Sequence, residues 1–251
     1  MILPPPGLEL ASPWMNAAGS MGFVPDSRLP FPHPMGAFVT NPISRKPRTP
    51  AENRTCIPYP GGCLLHTGLP NPGLRAVLRQ AGVRWARADV PVWVHLLADS
   101  PAELAEMVRA LEGLEGVAAL EVGIAPTANG EDALALASAA LGELPVVVQI
   151  PFDRADEPWL DRLAALGVSG LTLGAPRGSM PVPDGRLVSG RLLGPGLFPQ
   201  VLAAVRSARR INLPLIAGAG LFQQAHAEAV LAAGAAAVQL DAVLWRGWME
   251  G

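Results

Sequence analysis

The chain has 251 residues, half of them hydrophobic and 16% charged, with a formal net charge of −2. This excludes a disordered chain, and no strip of Lys and Arg is gathered that could neutralise nucleic-acid phosphates. The length suits a single (β/α)8 domain spanning 1–251, with no linker and no repeat beyond strand-helix alternation.

The segment MILPPPGLEL lacks a basic region and an apolar core, and the apolar runs elsewhere are short and interrupted. The expectation is therefore no signal peptide, no membrane span and a cytoplasmic protein. Residues 2 to 15 read as a β-hairpin or plug across a barrel bottom, with Pro4 to Gly7 ahead of an extended Leu8 to Leu10. The first strand is predicted over Trp14–Ala17, leading into Ala18, Gly19 and Ser20, where small residues let a flat ligand approach the backbone. A second strand follows over Ala37–Thr40. From Asn41 to Pro72 the chain is rich in Pro and Gly without helical or strand period. A loop of this length is usually functional, so a lid or active-site rim is placed here, with a surface elaboration or dimer contact as the alternative. Cys56 and Cys63, spaced C-x6-C, fit neither a zinc site nor a disulfide scaffold and are read as free thiols in a reducing compartment.

The alternation then becomes regular. Helix Leu74–Ala88, with Arg75, Arg79, Arg84 and Arg87 on a solvated face, precedes strand Val92–Leu96. Ser100 caps a helix with Pro101 at its first position and Glu103 in its first turn. Strand Ala119–Gly123, helix Glu131–Leu141, strand Val146–Ile150, helix Glu157–Leu166 and strand Gly170–Leu173 follow. An irregular run from Gly174 to Gly196 leads to helix Leu197–Arg209. The last unit is strand Leu215–Ala217, helix Gln223–Ala233 with Gly234 as its stop, strand Ala237–Leu240, and a new helix from about Asp241. Eight strands in this order predict an α/β fold, a (β/α)8 TIM barrel with an N-terminal β-hairpin plug. A doubly wound open sheet is the alternative, weakened by the lack of a Gly-rich fingerprint after the first strand. Gly218, Ala219 and Gly220 after the seventh strand, beside the helix start after the eighth, hint at a phosphate-bearing ligand.

In order, SPWMNAAGSMG, GAFVTNPISRKPR, PYPGGCLLHTGLPNPG, RLLGPGLFP, PLIAGAGLF and GAAAVQLDAVL resemble the class 1 dihydroorotate dehydrogenases, over nearly the whole chain. These are cytosolic FMN-dependent barrel enzymes of pyrimidine biosynthesis. The resemblance implies a flavin over the barrel mouth, with Ala18 and Gly19 against the isoalloxazine, Thr40 beside it and Gly194 near the ribityl chain. It places the phosphate between Gly218, Ala219 and Gly220 on one side and Asp241 and Ala242 on the other. The family's dimers imply a homodimer by analogy.

The departures bear on function. Where the family has two flavin-side lysines, this chain has Asn41 and Gln149. One such charge at about 4 Å, at an effective dielectric near 20, contributes at most ~4 kcal/mol toward the reduced flavin anion. The catalytic-base motif reads Gly123-Ile124-Ala125-Pro126-Thr127, with Thr127 one place late and a poor base unassisted. Leu65, Gly174 and Ala175 stand where orotate-binding Asn residues belong, which argues against dihydroorotate as the substrate. Gly-Gly and Gly-Thr of the phosphate site become Ala219-Gly220 and Asp241-Ala242. Asp241 at a helix start can put its carboxylate on the N–H groups a phosphate wants. Its alternatives are to turn away or to pair with Arg246.

His66, in the glycine-rich motif, and His95, at the end of the third strand, face the mouth and are candidate acids or bases, with structural roles as the alternative. His33 and His226 read as loop and helix-surface residues. Trp93 and His95 alternate with Val92 and Val94, so one pair fills the barrel. Asp153 and Asp156 follow the fifth strand as possible acids or metal ligands, Asp156 more simply as a cap. Trp245 and Trp248 read as core or interface packing, and no metal cluster is visible. Three functions stay open: an FMN oxidoreductase acting on CH–CH bonds of an altered small-molecule substrate; a flavin-free, non-catalytic binding or assembly subunit; and a phosphate-binding barrel enzyme for another metabolite.

Overall fold

The computed structural model describes residues 8–26, 31–52 and 55–249. Eight strands pair in parallel around a closed barrel. They are β1 (Trp14–Asn16), β2 (Met35–Val39), β3 (Val92–Leu97), β4 (Val117–Gly123), β5 (Val146–Pro151), β6 (Gly170–Gly174), β7 (Leu215–Ala217) and β8 (Ala237–Leu240). The seam closes where Trp14 meets Val238. Between β1 and β2 the register slips after Trp14, and the Asn16 side chain stands in for the missing backbone bonds. Its Oδ1 accepts from Val39 N (2.8 Å) and its Nδ2 donates to Val39 O (2.7 Å).

Period-two alternation decides what lies inside. Leu8, Met15, Ala37, Val39, Trp93, Ala119, Val147, Ile216 and Ala237 form one apolar cluster filling the lower barrel, while Val92 and Val94 join the larger core beneath the helices. Thus Trp93 and His95 are the inward pair. The outer ring is α1 (Leu74–Trp85), α2 (Pro101–Arg109), α3 (Gly130–Ala139), α4 (Leu163–Leu166), α5 (Phe198–Ala208), α6 (Gln224–Ala232) and α7 (Val243–Arg246). Helix α1 buries Leu74, Val77, Ala81 and Trp85, a helical stripe, and leaves Arg75, Arg79 and Arg84 exposed, as is Arg87 just beyond its end. Ser100 caps α2 by accepting from Glu103 N at 3.2 Å.

Five expectations are corrected. Residues 1–7 of the proposed hairpin lie outside the described residues, and Leu8–Leu10 is not a strand; Leu8 plugs the barrel floor as irregular chain. The segment 41–72 is not structureless. Thr55–Tyr59 and Gly62–His66 form a hairpin that joins a second one, Arg177–Pro181 and Leu187–Leu193, from the supposedly irregular run after β6. Together they make a four-stranded antiparallel sheet. Its strands escape the usual patterning because they are mostly half-buried, Gly-rich and Pro-containing. Gly62 and Gly194 are needed there, since a Cβ would fall 2.1 Å from Leu193 O and from Gly61 O respectively. The helix expected over 157–166 is a 3-10 turn, Pro158–Arg162, followed by the short α4, which Gly167 ends in a left-handed conformation. Asp156 caps nothing; its carboxylate takes the Ser207 hydroxyl beside Arg210.

Candidate functional site

Above the apolar layers, the next inward positions of the strands are polar. His95, Glu121, Thr172 and Gln239 are almost wholly buried and Gln149 half-buried. Strand register sets His95 beside Glu121 and Gln149 beside Thr172. Glu121 is their hub. Its Oε2 accepts from His95 Nδ1 (2.7 Å), and its Oε1 accepts from Thr172 Oγ1 (2.8 Å) and Gln239 Nε2 (2.6 Å). A carboxylate is acceptor-only, so all three partners must donate to it. In the neutral imidazole the His95 proton therefore sits on Nδ1, which leaves Nε2 as the acceptor.

His95 also lines a cavity of about 460 Å³ at the C-terminal mouth, a size suited to a small metabolite. Gly123 makes room for the imidazole, because a Cβ there would lie 2.8 Å from Nε2. The charged residues lining this cavity are Arg48, Arg177, Arg191 and Asp99. Arg48 pairs with Asp99 at 3.0 Å on the rim, leaving an excess of positive charge. The antiparallel sheet supplies one wall through Leu65, His66, Gly190 and Arg191.

Of the residues expected at a catalytic centre, His66, His95 and Thr127 all line this cavity. His66 Nδ1 donates to Ser189 O at 2.9 Å, and Thr127 is exposed at the rim. Of those expected around a cofactor, Ala18, Gln149 and Gly218 line it, as do Leu65, Gly174 and Ala175 from the expected substrate side. Thr40 is instead built into the wall, its Oγ1 accepting from His95 N at 3.0 Å. Asn41 Oδ1 accepts from Gly22 N at 3.0 Å and holds the turn after β1. Ala219 is packed in the core.

The family resemblance implies FMN, whose phosphate would need free N–H groups at the β7 and β8 turns. Gly218 N donates to Leu173 O at 2.9 Å, and the N–H of Ala242 goes to the Asp241 carboxylate. Gly220 backs onto α5, where a Cβ would lie 2.7 Å from Phe198 N. Arg191 stands between these turns and β1. Its Nη1 donates to Ala18 O (3.3 Å), and its Nη2 is 3.5 Å from where a Gly19 Cβ would be. Burial pushes the Asp241 carboxyl up, with the Arg191 charge partly restoring it; burial lowers Arg191 in turn, with Asp241 opposing. The residues present do not fit a flavin phosphate held in the family's manner. Asp241 faces Arg191, and it forms no ion pair with Arg246 among the described residues.

The other expectations fall outside the cavity. His33 stacks on Trp14 at 3.8 Å, and His226, half-buried rather than on the helix surface, stacks on Phe198 at 3.9 Å. Trp245 is over half exposed, its Nε1 donating to Ser20 O at 3.0 Å, and Trp248 meets Trp14 edge-on. Cys56 and Cys63 are free, the Cys63 thiol pushed up to about 11 by burial and its Cys56 neighbour. Asp153 and Asp156 are exposed. No group of three or more His, Cys, Asp or Glu among the described residues could hold a metal. No helix there is long and apolar enough to cross a membrane.

Glu121, Gln239 and Arg191 escaped the sequence reading. The signal for the first was present: a single carboxylate inside the otherwise apolar AALEVG must find partners if the strand is buried. Arg191 has no comparable signature, because RLL in an unassigned strand reads as surface.

No protein-family model matches the chain. Among curated proteins it is 30% identical to the dihydroorotate dehydrogenase B (NAD(+)) catalytic subunit of Desulforudis audaxviator, over 92% of this chain and 82% of that one. It is 29% identical to the same-named subunits of Pelobacter propionicus (93% and 84% covered) and Thermococcus kodakarensis (96% and 86% covered). A solved structure of DHODH from Eimeria tenella in complex with ferulenol aligns with a TM-score of 0.68 at 17% identity, covering 96% of this chain and 79% of that one. That likeness speaks for the fold.

Proposed function

Because the chain belongs to the dihydroorotate dehydrogenase family, we propose that it keeps the barrel-mouth site for a small anionic molecule but no longer holds FMN there in the family's way. The observation carrying this reading is the pair of charged side chains in the cradle. Arg191 lies against Ala18 and Gly19, and the Asp241 carboxylate takes the Ala242 N–H of the β8 turn. A phosphate entering there would have to displace an internal anion from its donors and meet its charge at close range. What remains is a cavity with more arginine than carboxylate on its lining, suited to a carboxylate or similar anion. The partner is thus a small molecule, and a homodimer is the assembly we propose from the family's habit.

The test is direct. The purified protein is expected to be colourless, and saturating FMN should leave its melting temperature unmoved. A flavin absorbance band at stoichiometric level would overturn the proposal. The Arg191→Gly/Asp241→Gly variant should gain FMN binding, read as a thermal shift of several degrees; an unshifted variant would count against these two side chains as the obstruction.

A second reading is an FMN-dependent oxidoreductase acting on an altered substrate. It is favoured by Ala18, Gln149 and Gly218, which line the open cavity at positions the resemblance assigns to the flavin. The absorbance measurement separates the two.

A further inference from the structure

We propose that the cavity floor is a two-acceptor site, His95 Nε2 and Gln239 Oε1, that takes the donor end of a small carboxylate bearing an adjacent hydroxyl or amide N–H. This rests on the reading that the mouth holds a small anion, and it names the class. The two oxygens of Glu121 divide the work: one orients the His95 ring, and the other takes the amide N–H of Gln239. Since Gln239 Nε2 must donate to the carboxylate, its Oε1 is the atom left over. It is buried, with no hydrogen-bond partner among the described residues.

A buried carbonyl oxygen without a donor keeps the full penalty of leaving water. A ligand N–H or O–H would recover that loss. Two glycines put no side chain against the acceptors. A Cβ on Gly218 would lie 3.3 Å from Gln239 Oε1, and one on Gly123 would lie 2.8 Å from His95 Nε2. Both glycines, His95 and Gln239 line the cavity. With acceptors at the floor and Arg48, Arg177 and Arg191 on the walls, the ligand enters with its donor leading and its carboxylate toward the arginines. Glu121 touches no ligand and is a positioning residue.

The experiment uses the full chain with 15N-labelled histidine. Long-range 1H–15N spectra should show His95 protonated on Nδ1 with Nε2 bare. Matched acids are then titrated: L-lactate against propionate, L-malate against succinate, and oxamate against pyruvate. The donor-bearing member of at least one pair should move the Nε2 resonance and bind at least tenfold more tightly than its mate. Gln239→Met, close in volume, should abolish that preference, and Glu121→Gln should move the His95 proton to Nε2. An Nε2–H tautomer in the wild-type protein, or no preference within any pair, overturns the proposal even if neither variant folds. A flavin band in the purified protein would instead overturn the preceding reading; the tautomer and the matched pairs decide this one separately.

Discussion

Gly123 shows how one missing methyl group shapes the mouth. The His95 ring occupies the space a side chain at 123 would fill, so Gly123→Ala forces either the imidazole or the β4 backbone to move. The expected cost is about 1–3 kcal/mol, typical of overpacking, read as a lower urea midpoint with unchanged m value. A neutral result would mean that the imidazole has slack. Arg191 and Asp241 are coupled in a different way, through charge across a partly desolvated gap. A double-mutant cycle with Arg191→Met and Asp241→Asn should return a favourable interaction of about 0.5–3 kcal/mol. At this scale the sequence was legible where chemistry repeats a known motif and opaque where two substitutions compensate each other. Asp241 was suspect on its own because a carboxylate at a helix start claims N–H groups. Its partner could not be named until the Leu187–Leu193 strand had been placed.

Among the elements, the segment Gly68–Gly73 is a clasp. Asn71 Oδ1 accepts from Ser44 N (3.2 Å) and Gly73 N (3.0 Å), while its backbone exchanges two hydrogen bonds with Arg48. Gly73, at φ +81°, lets the chain pass Pro47, where a Cβ would come within 2.9 Å of the nitrogen. Asn71→Ala leaves those buried N–H groups without an acceptor and should cost at least ~2 kcal/mol by chemical unfolding; a loss below half that would show the loop held by other means. Arg154 is the corresponding tie after β5. Its guanidinium grips Glu157 at 2.7 Å and donates to Ala128 O at 2.8 Å, and that grip holds the Glu157 carboxyl below its usual range. The stabilisation is present above the unfolded carboxyl's value near 4.5 and is lost as pH falls through the lower folded one. Glu157→Gln should flatten the fall in melting temperature below about pH 5, and parallel curves for variant and wild type would refute it. Long periodic helices and apolar strands were readable because burial imposes their periods. The antiparallel sheet was not, since its order comes from pairing between insertions far apart in the chain.

For the whole molecule, the barrel and its mouth sheet differ in how they are held. The barrel interior is packed apolar layers under a hydrogen-bonded polar layer, whereas the sheet's outer hairpin is mostly exposed, with Leu187 at 72%. Amide exchange should therefore show 177–193 opening with less free energy than β4 and β5; equal protection would mean the sheet and barrel unfold as one unit. Fold class was readable at this scale because eight strand-helix alternations leave few closed arrangements, while the occupant of the mouth depends on a few side chains that alternation does not constrain.

The seam between Trp14 and Val238 bears on how such a chain is made. During synthesis β1 emerges early, yet one of its edges has no mate until β8 leaves the ribosome. For most of translation a strand carrying Trp14 and Met15 must wait with bare amides, open to pairing with another nascent chain. Slowing elongation just before codon 237 should lengthen that wait and raise the aggregated fraction, whereas the same pause before codon 14, when β1 does not yet exist, should leave it unchanged.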